Sequence, residues 1–112
     1  MKIVGYDSKY KDSFIQFNTD WIVDNFGYLE KEDIETFDKI DEELEKDAMI
    51  YFAVENDVPL ATCMAKPMNG ETWEICKLAA AGQSTGKGAG SAVFKASMDY
   101  AIEHGAKKLT LM

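Results

Sequence analysis

Glu74 opens a run, Glu74-Ile75-Cys76-Lys77-Leu78-Ala79-Ala80, that sets a carboxylate and a thiol in an apolar, strand-like stretch. Ala81-Gly82-Gln83-Ser84 and Thr85-Gly86-Lys87-Gly88-Ala89-Gly90-Ser91 follow, with three glycines at alternate positions just before a helical pattern. Two kinds of chemistry suit this arrangement. A carboxylate on a strand beside a ligand can accept a proton. A glycine-dense loop feeding a helix N-terminus exposes backbone N–H groups at the positive end of the helix dipole, which suits a phosphate or pyrophosphate. A plain turn from strand to helix is the simpler reading, but it needs fewer glycines.

Three nucleotide motifs compete for the loop. A Walker A loop requires four residues between its first Gly and a Gly-Lys pair, followed by Ser or Thr. Three residues separate Gly82 from Gly86, and Gly88 follows Lys87, so that reading fails. The dinucleotide fingerprint G-x-G-x-x-G finds Gly86 and Gly88 but meets Ser91 at its last position. The third pattern, Q/R-x-x-G-x-G/A, finds Gly88 and Gly90 at its glycine positions, with Thr85 at the Gln/Arg position. From Glu74 to Gly90, strand and loop together, the chain resembles the acetyl-CoA-binding motif of the GNAT superfamily of N-acetyltransferases. The resemblance continues through the following helix to His104-Gly105-Ala106-Lys107-Lys108-Leu109.

That resemblance implies an acetyl-CoA-dependent N-acetyltransferase. The pantetheine arm would lie along the backbone of Leu78, Ala79 and Ala80, much as a peptide adds to a sheet edge. The pyrophosphate would rest on Thr85, Gly86, Lys87, Gly88, Ala89, Gly90 and Ser91. An N–H of Leu78 or Ala79 would polarise the thioester oxygen. Glu74 aligns with a working glutamate of several family members and is the candidate base, although a strand glutamate can equally face solvent. Asn25, Phe26 and Tyr28 fall where the family's first two helices meet and would contact the acceptor. Thr85 departs from the family pattern and bears on donor affinity. No Ser or Cys has a sequence-visible base partner, so the acetyl group is expected to pass by direct attack in a ternary complex. The alternative is a non-catalytic CoA-binding or assembly module.

Around these residues the chain lays out its elements. Lys2–Tyr6 reads as a strand, and Asp7 or Ser8 can cap the helix after it. Tyr10, Phe14, Phe17 and Trp21, with Ile22 and Phe26, form an aromatic stripe at helical spacing that reads as core, ended by Gly27. Glu30–Lys46 reads as one further helix, with Ile34, Phe37, Ile40 and Leu44 inward. Its acidic outer face reads as solvated, with attraction of cationic acceptors as the functional alternative. Met49–Glu55 and Val58–Lys66 read as a hairpin about Asn56-Asp57, and Pro67–Glu71 turns into the strand of Glu74. Strand alternation predicts that Glu74, Cys76, Leu78 and Ala80 share one face. In the helix after the loop, Val93, Phe94, Ser97, Met98, Ala101 and Ile102 make the inward stripe. His104, in its last turn, reads as structural. A strand at Lys107–Met112 completes the order β-α-α-β-β-β-α-β, a mixed α+β arrangement that is also the GNAT fold.

The chain has 112 residues, 46% hydrophobic and 29% charged, and reads as one domain, 1–112. A net charge of −8 argues against nucleic-acid binding. Cys63 and Cys76 lie in apolar runs without metal spacing, so reduced core thiols in a cytoplasmic protein are expected, with no metal and no membrane segment. The acceptor is expected to be an amine of a small molecule or a protein. The family continues past the last strand with another helix and further strands. The chain is therefore expected to be a truncated piece, or to be completed by another chain, for instance as a homodimer through the open sheet edge.

Overall fold

A computed structural model of the chain describes residues 1–81 and 88–111. A five-stranded sheet runs in the order β1 (Lys2–Val4), β2 (Met49–Glu55), β3 (Val58–Pro67), β4 (Thr72–Ala80), β5 (Lys108–Leu111). All pairings are antiparallel except that of β4 with β5. Helices α1 (Lys11–Phe26), α2 (Lys31–Asp38) and α3 (Ile40–Glu45) precede β2, and α4 (Ala89–Glu103) joins β4 to β5.

Two apolar clusters sandwich the sheet. Tyr10, Phe14, Ile22, Phe37 and Ile40 pack on Ile50, Phe52, Val54, Met64 and Cys76. On the opposite face, Ala89, Val93 and Ala101 of α4 pack on Ala53, Ala61, Cys63, Ala65, Trp73 and Ile75. Small residues on both partners let α4 lie close to the strands, which is how a helix rich in Ala, Ser and Gly buries its face.

Local chemistry accounts for most boundaries. The Asp7 side chain accepts from the Lys9 amide at 3.0 Å and opens a 3₁₀ turn that leads into α1. Gly27, at φ 84°, closes α1 with its amide on the Val23 carbonyl. Asn56 and Asp57 both have positive φ, the conformation a two-residue hairpin with twisted strands requires.

Several expectations are corrected. Lys2–Tyr6 is a strand only as far as Val4. The single helix over Glu30–Lys46 is two helices, parted at Lys39, whose amide is shared between the Glu35 and Thr36 carbonyls. The break gives Asp41, Glu42 and Glu43 a new first turn, where the helix dipole favours carboxylates. It also buries Phe37 and Ile40 together while Ile34 stays exposed. In α1 the buried line is Tyr10, Phe14, Asn18 and Ile22, a strict four-residue step. Trp21 and Phe26 lie off that line and are not core; they are exposed and meet edge to face at 5.8 Å. Ile102 likewise falls outside the line Ala89, Val93, Ser97, Ala101 and is exposed.

Candidate functional site

The alternation expected in β4 fails between Cys76 and Ala79. The register with β3 runs Ala65 opposite Ile75 and Met64 opposite Cys76, then resumes at Thr62 opposite Ala79 and Ala61 opposite Ala80. Two residues of β4, Lys77 and Leu78, therefore stand against Cys63 alone, which makes a β-bulge. Lys77 takes φ 53°, a left-handed conformation that strains a residue with a side chain by about 1–2 kcal/mol. Directly opposed residues of a ladder share a face, so the bulge corrects the expected grouping. Glu74, Cys76 and Ala79 look toward α1–α3, whereas Ala80, opposite Ala61, is turned to the α4 side.

The other edge of β4 is paired by β5 from Thr72 through Ile75. On the inner side the Ala81 amide donates to the Leu60 carbonyl at 2.9 Å. Alternation back from Ala81 turns the Ala79 amide toward β3 as well and the Ala80 amide away from it.

Past the loop, α4 begins without a side-chain cap. Gly88, at φ 76°, occupies the N-cap, and the first helical bond runs from the Ala92 amide to the Gly88 carbonyl. The amides of Ala89, Gly90 and Ser91 therefore precede the first intrahelical donor. A Cβ on Gly90 would meet no atom within 4 Å, so packing does not demand glycine there; its effect is to leave the backbone bare. Thr85, Gly86 and Lys87, with the rest of 82–87, lie outside the described residues.

Between α1–α2 and β4 lies a cleft of about 1110 Å³. Glu74, Cys76 and Leu78–Ala80 form its β4 side, and Gly90 reaches it from α4. Trp21, Phe26 and Tyr28, respectively 50%, 65% and 65% exposed, line it from the end of α1 and the link to α2. Acidic residues outnumber basic ones along it: Glu30, Glu32, Asp33, Glu35, Glu43 and Glu74 against Lys39, Lys66 and Lys77. Asn25 is not brought to the cleft; its side-chain amide donates to the Trp21 carbonyl at 2.7 Å.

Two lysines are already engaged. Lys66, directly opposite Glu74, is 3.9 Å from Glu43. Lys77 is 2.6 Å from Asp33, with both side chains more than four-fifths buried. Burial pushes the Asp33 carboxyl up, but hydrogen bonds from Lys77 and the Glu30 amide, with the lysine's charge, outweigh it and hold the group below the usual carboxylate range. Cys76 shows the opposite balance. Burial, reinforced by the Glu74 carboxylate beside it, pushes its thiol up to about 12. Cys63, on the other face, is also raised by burial, and both cysteines are free.

Of the residues that sequence reasoning put at the site, Glu74, Leu78–Ala80, Gly90, Phe26 and Tyr28 line the cleft; Gly88 and Ser91 lie beside it in sequence only, and Ala89 is buried against the sheet. Sequence reasoning missed Trp21, which four-residue spacing had assigned to the core, and the Lys77–Asp33 pair. The one available signal for the pair was a lysine inside the otherwise apolar run Ile75–Ala80. Among the described residues no cluster of His, Cys, Asp and Glu is suited to a metal ion, and no helix is long and apolar enough to cross a membrane. His104 is exposed at the end of α4 and stacks on Tyr100 at 3.9 Å, away from the cleft.

A five-stranded mixed sheet between two helical layers, with a glycine N-cap opening the helix that follows its fourth strand, defines the class as an α+β fold. The chain belongs to the acetyltransferase (GNAT) family, whose model matches residues 14–112. Among solved structures, it is similar to a GNAT-family acetyltransferase from Staphylococcus aureus, with 15% identity over 98% of this chain and 71% of that one, at a TM-score of 0.85. It is similar to a predicted acetyltransferase from Clostridium acetobutylicum, solved with acetyl-CoA, with 18% identity over 99% and 79% of the two chains, at a TM-score of 0.79. Glucosamine-6-phosphate N-acetyltransferase from Arabidopsis thaliana gives 21% identity over 99% and 80%, at 0.74. At these identities the likeness is one of fold. No curated protein matches the chain.

Proposed function

We propose that residues 1–112 act as one domain that moves an acetyl group from acetyl-CoA to the amine of an acceptor within a ternary complex. The observation that carries this reading is that the leading amides of α4, behind a glycine N-cap, open beside the cleft that Gly90 and Leu78–Ala80 line. The pyrophosphate would sit on the amides of Gly88–Ser91, helped by Thr85, Gly86 and Lys87 in the loop. The pantetheine arm would bond along Leu78–Ala80. The amide of Leu78, in the bulge, would suit the thioester oxygen better than that of Ala79, which alternation turns toward β3.

The acceptor would enter past Phe26, Tyr28 and Trp21. An amine with a pKa near that of lysine, about 10.4, is mostly protonated at neutral pH and must lose its proton before attack. Glu74 would take that proton directly or through one water. The amine nitrogen then bonds to the thioester carbon, the C–S bond breaks, and the surplus proton on nitrogen passes to the departing thiolate, leaving the amide and free CoA. Cys76 is unsuited to act as a covalent relay, because burial and Glu74 keep it a thiol. An acidic cleft with an aromatic wall favours a cationic acceptor over a phosphorylated one.

Calorimetric titration with acetyl-CoA and CoA, followed by a thiol-release assay over a panel of amines, tests the reading. Donor binding and turnover on an amine are expected. Binding without turnover would make the domain a CoA-binding module, and no binding would remove both readings. Gly88→Glu should weaken acetyl-CoA binding by about a hundredfold or more, since it puts bulk and negative charge at the diphosphate and strains a position at φ 76°.

A further inference from the structure

Lys77 is held in a conformation that glycine would adopt without strain, yet it carries one of the least exposed charged side chains of the cleft. It sits at the β4 bulge with φ 53°. Its ammonium is 2.6 Å from Asp33 Oδ1, with the two side chains 18% and 17% exposed. The ion pairs Lys9–Asp57, Lys31–Glu35, Lys95–Asp99 and Lys107–Glu71 all lie at the surface. The ammonium also stands 5.8 Å from the centre of the Phe37 ring. If the bulge alone mattered, a residue without a side chain would serve it better. The lysine side chain therefore does something that the backbone does not.

Its partner shows what. Asp33 Oδ2 accepts from the Glu30 amide at 3.1 Å, one half of the reciprocal capping box that starts α2. That cap anchors the short link from α1, which carries Tyr28 and lies directly after Phe26. On the strand side, Lys77 precedes Leu78, whose amide is the proposed donor to the thioester oxygen. One carboxylate thus ties the cleft's aromatic wall to the bulge.

We infer that Lys77 is a positioning residue which, through Asp33, couples the wall that receives the acceptor to the strand that aligns the thioester. The inference rests on the acetyl-transfer reading of this cleft. In this role Lys77 acts by fixing the distance between the two walls that would hold the substrates. Misplacement by about 1 Å can cost about a hundredfold in rate, so a tie of this kind acts on turnover more than on donor binding.

The test uses Lys77→Gly, Asp33→Asn, their double variant and Lys77→Arg, with acetyl-CoA affinity by calorimetry and kcat and KM on the best amine of the panel. Glycine suits the bulge backbone, so Lys77→Gly removes the tie while keeping the conformation. The expected result is acetyl-CoA affinity within about threefold of the unaltered chain, kcat lower by about tenfold to a hundredfold, and a raised KM for the amine. Asp33→Asn should do the same, the double variant should be no worse than either single one, and Lys77→Arg should recover most of kcat. Unchanged kinetics in Lys77→Gly would overturn the inference alone. So would additive losses in the double variant, or a fall in kcat matched by an equal fall in donor affinity. An unaltered chain that neither binds acetyl-CoA nor acetylates any amine would overturn the functional reading and this inference with it.

Discussion

The two faces of the sheet are built on opposite terms. Toward α4, the strands offer Ala53, Ala61, Cys63 and Ala65, and the helix answers with Ala89, Val93, Ser97 and Ala101, all buried. Toward α1–α3, the same strands carry Ile50, Phe52, Met64 and Cys76, large enough to hold three helices at a distance, and near Glu74 the packing gives way to the cleft. Small residues of β2 and β3 let α4 close on one face, with Trp73 and Ile75 of β4 filling the space beside them, while large ones prop the other open. Alternate residues of single strands thus serve two ends, and the contrast can be attacked from either side.

The largest expected effect concerns Cys76. With its thiol pushed up to about 12 by burial and by Glu74, the folded chain should react with iodoacetamide at pH 8 roughly a thousandfold more slowly than the denatured chain. Peptide mapping after timed alkylation reads this. The sign for stability follows: the folded value exceeds the ordinary 9.0, so the contribution is complete below about pH 9 and is lost as pH rises toward about 12. Rapid labelling at pH 8 would mean that the propped face admits water freely.

Glu74→Gln should lower kcat by about a hundredfold at saturating amine while the melting temperature stays nearly unchanged, because the side chain lines a cleft and no core. An unaffected kcat would assign proton removal to water alone. On the tight face, Ala61→Leu should reverse the pattern. Forcing three more carbons against α4 should cost about 1–3 kcal/mol of stability, measured by urea unfolding. Kinetic constants at a temperature where the variant is folded should change little.

The smallest effect belongs to Ser97. Its hydroxyl is buried without a partner among the described residues, so Ser97→Ala should be neutral or stabilising by up to about 1 kcal/mol in thermal unfolding. A clear destabilisation would show that the hydroxyl is engaged, with Cys63 the nearest candidate.

Much of this fold is legible in the chain. Runs rich in strand-forming residues located β2, β3 and β4, Asn56-Asp57 marked the hairpin, Gly27 the end of α1, and the glycines the start of α4. What escaped is instructive. The bulge at Lys77 leaves no local mark, because a one-residue shift is enforced by pairing with β3 and the residue adopting positive φ is not glycine. Lys39 separates two helices without Gly or Pro, since the break answers to where Phe37 and Ile40 can both be buried. Trp21 and Phe26 look like core by type and spacing; only the strict four-residue line through Phe14, Asn18 and Ile22 shows that they fall beside it. Site residues fixed by backbone were readable, and those fixed by tertiary offset were not.

The hydroxyl of Tyr10 donates to Asp57 Oδ1 at 2.6 Å, and Lys9 stands 3.1 Å from the same oxygen, so the hairpin tip bolts down the root of α1. From Val23 onward the other end of that rod projects into solvent. Phe14, Asn18 and Ile22 hold the rod to the sheet along its length, and beyond Phe26 the Asp33 cap and Lys77 hold the link that follows. The entrance is therefore framed at three separate points, and loosening any one of them should shift Phe26 and Tyr28 relative to β4.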